Sequence, residues 1–303
     1  MELVFPLLRQ AAVMLILSGV GFVLFKSGKI SLEGSRAIAN VLIYVSLPCV
    51  IVNSFMVERT QERMIGLGLS AAAAVVLLLI SGVVSALCFR KDAIAALTTT
   101  FANPGFFGIP LITAVLGEDA VFYIAAMIAC LNMGQWTYGV SRLKGGKAKV
   151  TAKTVLTAPF MVAIIIGLFL FFTGIRLPQV VTKTIDYAAG LNTPLAMFTI
   201  GIYMAQTDLK KLFGRGKLYL VSLVRLVIIP LLSFAVLCLL PASQQEMRLA
   251  LLIASACPVG SNTAVYAQLY NNDYGYAVQT VVISTLLSVV TLPLLTALAG
   301  SLW

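Results

Sequence analysis

Two segments of this chain combine the residue types that could hold a small polar ligand inside apolar surroundings. In the first, Asn103-Pro104-Gly105 is followed by Phe106, Phe107, Gly108 and Pro110; in the second, Cys257-Pro258-Val259-Gly260 runs into Ser261, Asn262 and Thr263. Proline lacks an amide donor and glycine loosens the backbone, so a helix entering either segment has to unwind. Unwinding frees carbonyls and amides, and the half-helix that restarts beyond the break turns its positive N-terminal end toward it. Two such ends meeting would attract an anion without a buried lysine. Asn103, Ser261, Asn262 and Thr263 lie on the breaks, and Asn132, Gln135, Tyr266 and Gln268 lie in apolar stretches beside or beyond them. Their amides and hydroxyls can donate to a carboxylate or accept from a protonated acid. The same groups are equally able to bond helix to helix. Phe106 and Phe107 suit an apolar substrate wall, or simple packing. The candidate binding set is Asn103, Pro104, Gly105, Phe106, Asn132, Gln135, Pro258, Ser261 and Asn262.

The elements that must position this set are membrane helices. Of 303 residues, 60% are hydrophobic and 11% charged, whereas a water-soluble domain of this size needs about 25% charged residues. Apolar runs are expected near 5–25, 35–56, 64–89, 93–116, 119–139, 154–174, 178–205, 217–240, 246–269 and 274–300, each about the length that crosses a bilayer. The first lacks a small-residue cleavage pattern and reads as a retained helix rather than a signal peptide. Ten spans put both termini on one face. That face carries Arg9, Arg59, Arg63, Arg176, Lys183 and Arg248, six cations against fourteen on the other. Short cytoplasmic loops are the lysine- and arginine-rich ones, so both termini are expected outside the cell (inner) membrane and the 141–153 loop in the cytoplasm. The net charge of +10 is thereby a matter of topology and does not call for nucleic acid.

The two halves, 1–140 and 154–303, also match each other. The stretch from Phe101 aligns with that from Ser255 without gaps, placing Ala102 on Ala256, Pro104 on Pro258 and Asp119 on Asp273; Pro48 likewise meets Pro194. Five spans per half is an odd number, so the second half enters the membrane from the opposite face. The expected fold is therefore all-α and polytopic, two inverted five-helix repeats with broken fourth and ninth helices.

Other chemistry is poorly provided for. The chain has no histidine, and its five cysteines stand singly, which argues against zinc sites, disulfide scaffolds and histidine proton relays. No cofactor or metal is expected. Two charges fall inside spans, Asp186 and Arg225. Each is costly at the bilayer centre, by about 2.5–3.5 kcal/mol, and each is near enough to a span end to reach water or pair with a neighbour.

Ten spans, a cytoplasmic middle loop, Asn103-Pro104 in the fourth span, Pro258 in the ninth and the stretch from Asn132 to Trp136 resemble the auxin efflux carrier family, over nearly the whole chain. The plant members read Asn-Pro-Asn-Thr-Tyr at the first break, and this chain reads Asn-Pro-Gly-Phe-Phe, so the resemblance carries Asn103 and Pro104 but not auxin as substrate. It implies a fold similar to sodium-proton antiporters and bile acid symporters. Spans one, two, six and seven would form a scaffold that often dimerises, and spans three to five with eight to ten a transport domain moving like an elevator. Function is expected to be transport of small organic anions, with no enzymatic activity. A sodium-coupled symporter of the same fold, and a membrane receptor or enzyme, are the alternatives.

Overall fold

The computed structural model describes residues 4–145, 156–208, 212 and 214–303. Residues 146–153 of the expected linker lie outside the described residues. The described residues are helical apart from short connections and two extended segments. In order run α1 (Val4–Lys26), α2 (Leu32–Phe55), α3 (Gln61–Cys88), α4 (Ala93–Thr100), α5 (Pro104–Leu116), α6 (Glu118–Leu143), α7 (Pro159–Thr173), α8 (Gln179–Gln206), α9 (Gly216–Leu237), α10 (Gln245–Ala256), α11 (Asn262–Leu269) and α12 (Tyr274–Leu302). Among the described residues seven of these, α1, α2, α3, α6, α8, α9 and α12, are long and apolar enough to cross a membrane, and α5 and α7 are shorter apolar helices. The protein is an all-helical polytopic membrane protein. Where the spans near 93–116 and 246–269 were expected, each is two helices separated by extended backbone, α4/α5 and α10/α11.

Helix starts follow the chain's capping residues. Thr60 accepts from Arg63 N at 3.2 Å to begin α3, Asp92 from Ala95 N at 2.9 Å to begin α4, and Asp273 from Tyr276 N at 2.8 Å to begin α12. Prolines inside helices are absorbed by a recurring device. Wide turns at Leu42–Ser46, Pro104–Gly108 and Val224–Ile228 end two residues before Pro48, Pro110 and Pro230. In each, the residue preceding the proline donates to the carbonyl five back: Leu47 to Leu42, Ile109 to Pro104, Ile229 to Val224. The turn opens where the proline ring would otherwise press on the preceding backbone, so the helix survives with a bulge instead of breaking. One carbonyl in each turn loses its helical partner as a result.

Small residues set the closest helix contact. α1 packs along Asn192–Gln206 of α8, and a Cβ on Gly201 would lie 1.9 Å from the Ser18 carbonyl oxygen, while one on Gly21 would lie 2.5 Å from that of Phe198. Lipid offers apolar surface as readily as another helix does, so association depends on such backbone approach. Gly201→Leu is expected to separate α1 from α8 and cost more than the roughly 1–3 kcal/mol of ordinary overpacking, seen as loss of monodisperse protein in detergent. Gly68→Leu, at a glycine with nothing within 4 Å of its added Cβ, is expected to leave the elution profile unchanged. Elsewhere α7 lies on Leu47–Phe55 of α2, α3 on α6, α10 on both α6 and α9, and α11 on α12.

Candidate functional site at the helix crossover

The two breaks meet. After α4 the chain runs extended through Phe101 and Ala102, and after α10 through Cys257 to Gly260; there Ala102 and Val259 pair as a single antiparallel bridge. Asn103 N donates to Pro258 O at 3.0 Å and Gly260 N to Phe101 O at 2.9 Å. Val259 N donates to the Ser284 hydroxyl of α12 at 3.1 Å. Three amides of the breaks, which lipid could not satisfy, thus find partners on the other break or on a neighbouring helix. The glycines serve clearance rather than flexibility. Gly105, Gly108 and Gly260 are not among the glycines at positive φ, but a Cβ on Gly260 would stand 2.9 Å from the Ala102 oxygen and one on Gly108 2.9 Å from the Cys257 sulfur.

Each half-helix has a negative carbonyl end and a positive amide end, and the crossover sorts them. The carbonyl ends of α4 and α10 converge on Arg225, whose guanidinium donates to Thr99 O at 3.2 Å, Thr100 O at 3.4 Å and Ser255 O. Arg225 is 1% exposed; of the two outcomes expected for it, reaching water or pairing with a neighbour, it takes the second. It sits in the wide turn before Pro230, and its charge is met by two helix C-termini, each equivalent to about half a negative charge. Asp186 does reach water: it is exposed and lines a vestibule described below.

The amide ends of α5 and α11 face a narrow cavity of about 30 Å³, room for about two water molecules. Asn103, Pro104, Gly105 and Phe106 line it from the first break, Gly260, Ser261 and Asn262 from the second, Ile128, Leu131, Asn132 and Gln135 from α6, and Leu47 from α2, together with Ala102. Eight of the nine candidate residues therefore share one cavity. Pro258 does not line it and contributes its carbonyl to the bridge. Thr263, Tyr266, Gln268 and Phe107 are not lining residues; Thr263 Oγ1 donates to Gly260 O at 2.6 Å, and Tyr266 packs edge-on against Trp136.

The polar side chains of the cavity are partly bonded within the protein. Asn103 Nδ2 donates to Ser261 Oγ at 3.0 Å, which leaves the Ser261 hydroxyl proton free to point elsewhere. Asn132 Nδ2 is held by Ile128 O at 2.8 Å. Gln135 is 3% exposed, and its Oε1 has no donor among the described residues. Among the described residues no lysine, arginine, aspartate or glutamate lines the cavity. A neutral, amide-rich cavity between two helix N-termini can hold an anion.

Asn192 was not among the candidate residues. It is buried in α8, and its Nδ2 donates to Gly105 O at 3.1 Å. That carbonyl is the one left free by the wide turn, since Ile109 N has moved to Pro104 O and Pro110 has no amide hydrogen. The signal in the sequence was slight, an asparagine two residues before Pro194. Asn192 also lines a second cavity, of about 610 Å³, between α1, α2, α5 and α8. Gln10, Asn53, Glu118, Asp119 and Asp186 are among its walls. This vestibule reaches to the side chain that holds the crossover.

A chain of bilayer-length helices with a polar cavity at two crossing breaks is an integral membrane transporter rather than an enzyme. A family model described as membrane transport protein matches residues 6–296, so the chain belongs to that family, the auxin efflux carriers. It is 24% identical to an uncharacterized transporter of Methanocaldococcus jannaschii over 298 residues, 93% of this chain and 95% of the relative. It is 26% identical over 219 residues, 68% of each chain, to a Rhizobium meliloti protein named "Putative malonate transporter".

Proposed function

We propose that this protein carries small organic anions across the cell membrane, binding them in the cavity between α5 and α11. The observation that supports this most directly is the sorting of helix ends: the carbonyl ends already have their counter-charge in Arg225, and the amide ends have none. An anion supplies it. A distant relative's naming for malonate agrees in substrate class.

In this reading the chain makes ten crossings as two inverted repeats, with both termini outside and the 141–153 loop in the cytoplasm. α1, α2, α7 and α8 form a scaffold, and the remaining helices a transport domain that moves against it. The mutual packing of α1 with α8 and of α7 with α2 is in keeping with that division. The vestibule, on the side of the 56–60 and 117–120 connections, lies along the joint between scaffold and transport domain and opens outside in this reading. The cavity has room for about two water molecules, so loading an organic acid requires the joint to open. The scaffold is the surface for a homodimer.

The test is current from purified protein in proteoliposomes on a solid-supported membrane, with malate, malonate, succinate, lactate, aspartate and indole-3-acetate, with and without sodium and a proton gradient. A saturable response to at least one acid is expected; strict dependence on sodium would select a symporter of the same fold. Silence both here and in labelled counterflow would remove the anion-carrier reading.

A further inference from the structure

We infer that the crossover cavity takes its organic acid with one negative charge and one hydrogen-bond donor, so that a dicarboxylic acid travels as its hydrogen monoanion with the remaining carboxyl proton donated to Gln135. The inference rests on the carrier reading above and specifies the ionic form of the substrate.

Charge matching sets the first limit. Each helix N-terminus is equivalent to about half a positive charge, so the ends of α5 and α11 together offset about one negative charge. Nothing else in the cavity adds to this, because no basic side chain lines it and Arg225 is committed to the carbonyls of Thr99, Thr100 and Ser255. A dianion would bring a second charge into a narrow, protein-enclosed site without a partner.

Gln135 sets the second. It lines the cavity, is 3% exposed, and its Oε1 lacks a donor among the described residues. An unpaired buried acceptor favours a ligand that brings an O–H group. A dicarboxylate dianion has none, and its hydrogen monoanion has one.

The vestibule acts in the same direction. Among the described residues its walls carry Glu118, Asp119 and Asp186 and no lysine or arginine. Arg63 of α3 is bound to one of them, Asp119, at 2.6 Å, with Glu62 and Glu246 close to that pair. Carboxylates repel a dianion twice as strongly as a monoanion at the same distance. The proton enters on the substrate carboxyl and leaves with it, so each diacid moves one charge and one proton.

The experiment uses the full chain in proteoliposomes, with labelled malonate and its monomethyl ester, an acid that keeps one charge and no O–H, assayed between about pH 6 and about pH 8. The expected result for malonate is a KM that rises about tenfold per pH unit above its second ionisation, with kcat constant, and one charge moved per molecule. The ester is expected to show a flat KM. Hydrogen malonate should bind about tenfold tighter than the ester in the wild type, and Gln135→Leu should erase that difference. A malonate KM that stays flat over this range, or two charges per malonate, overturns the inference and leaves the carrier reading standing. Transport of neither compound by folded protein overturns the inference, and the carrier reading then stands or falls on the other acids of the panel. The wild-type pH series decides the matter even where the Gln135 variant does not fold.

Discussion

Arg225→Met is expected to abolish transport and to lower the melting temperature of the purified protein more than any other single substitution in the crossover. The arginine binds the last carbonyls of both half-helices, Thr99 and Thr100 on α4 and Ser255 on α10, from a position 1% exposed. Methionine keeps most of the volume and supplies no donor. Removing one partner from a buried charged cluster costs about 3–5 kcal/mol, because the remaining groups cannot recover water. Here those groups are two convergent helix C-termini, together equivalent to about one negative charge. Arg225→Lys is expected to recover part of the stability, since it restores the charge but not the planar fork that reaches both helices. Differential scanning fluorimetry in detergent and labelled counterflow measure the two effects. A methionine variant that melts and transports like the wild type would mean that Arg225 does not hold the two half-helices together.

Asn103→Ala is expected to separate the two effects, with stability near wild type and transport lost. The crossover bridge runs through backbone atoms, Asn103 N to Pro258 O and Gly260 N to Phe101 O, and survives truncation of the side chain. What disappears is Nδ2, which donates to Ser261 Oγ at 3.0 Å and fixes that hydroxyl beside the cavity. A hydrogen bond to a charged group contributes about 1.5–3 kcal/mol, so losing one ligand contact lowers apparent affinity by about 10- to 100-fold. Asn103→Asp keeps the size and puts a negative charge among the same lining residues, and is expected to be at least as inactive. Substrate-dependent current and melting temperature, measured on the same preparations, separate the two contributions. Wild-type current from Asn103→Ala would take the binding site away from the crossover.

Much of the site was legible because polar and helix-breaking residues stand out where the solvent is lipid. Asn103-Pro104 and Pro258 interrupt apolar runs, and an interruption at membrane depth has few structural explanations. The sequence thereby marked both breaks and the polar positions of α6, and eight of its nine candidate residues line a single cavity. It left open whether Arg225 reaches water or pairs with a neighbour. The decisive fact was the convergence of Thr99, Thr100 and Ser255 on that side chain, across separations of 126, 125 and 30 residues. It also overlooked Asn192, because the free carbonyl that Asn192 serves exists only once the turn before Pro110 has widened.

By itself, then, the sequence determined the solvent, the helices and the places where they break, since apolar length, capping residues and prolines act within a few residues of themselves. The tertiary structure decided which end of each half-helix keeps a protein counter-charge, that the glycines at the breaks provide clearance, and that an acidic vestibule of about 610 Å³ reaches Asn192. Those properties depend on which distant backbone comes within hydrogen-bond reach, and only packing fixes that distance.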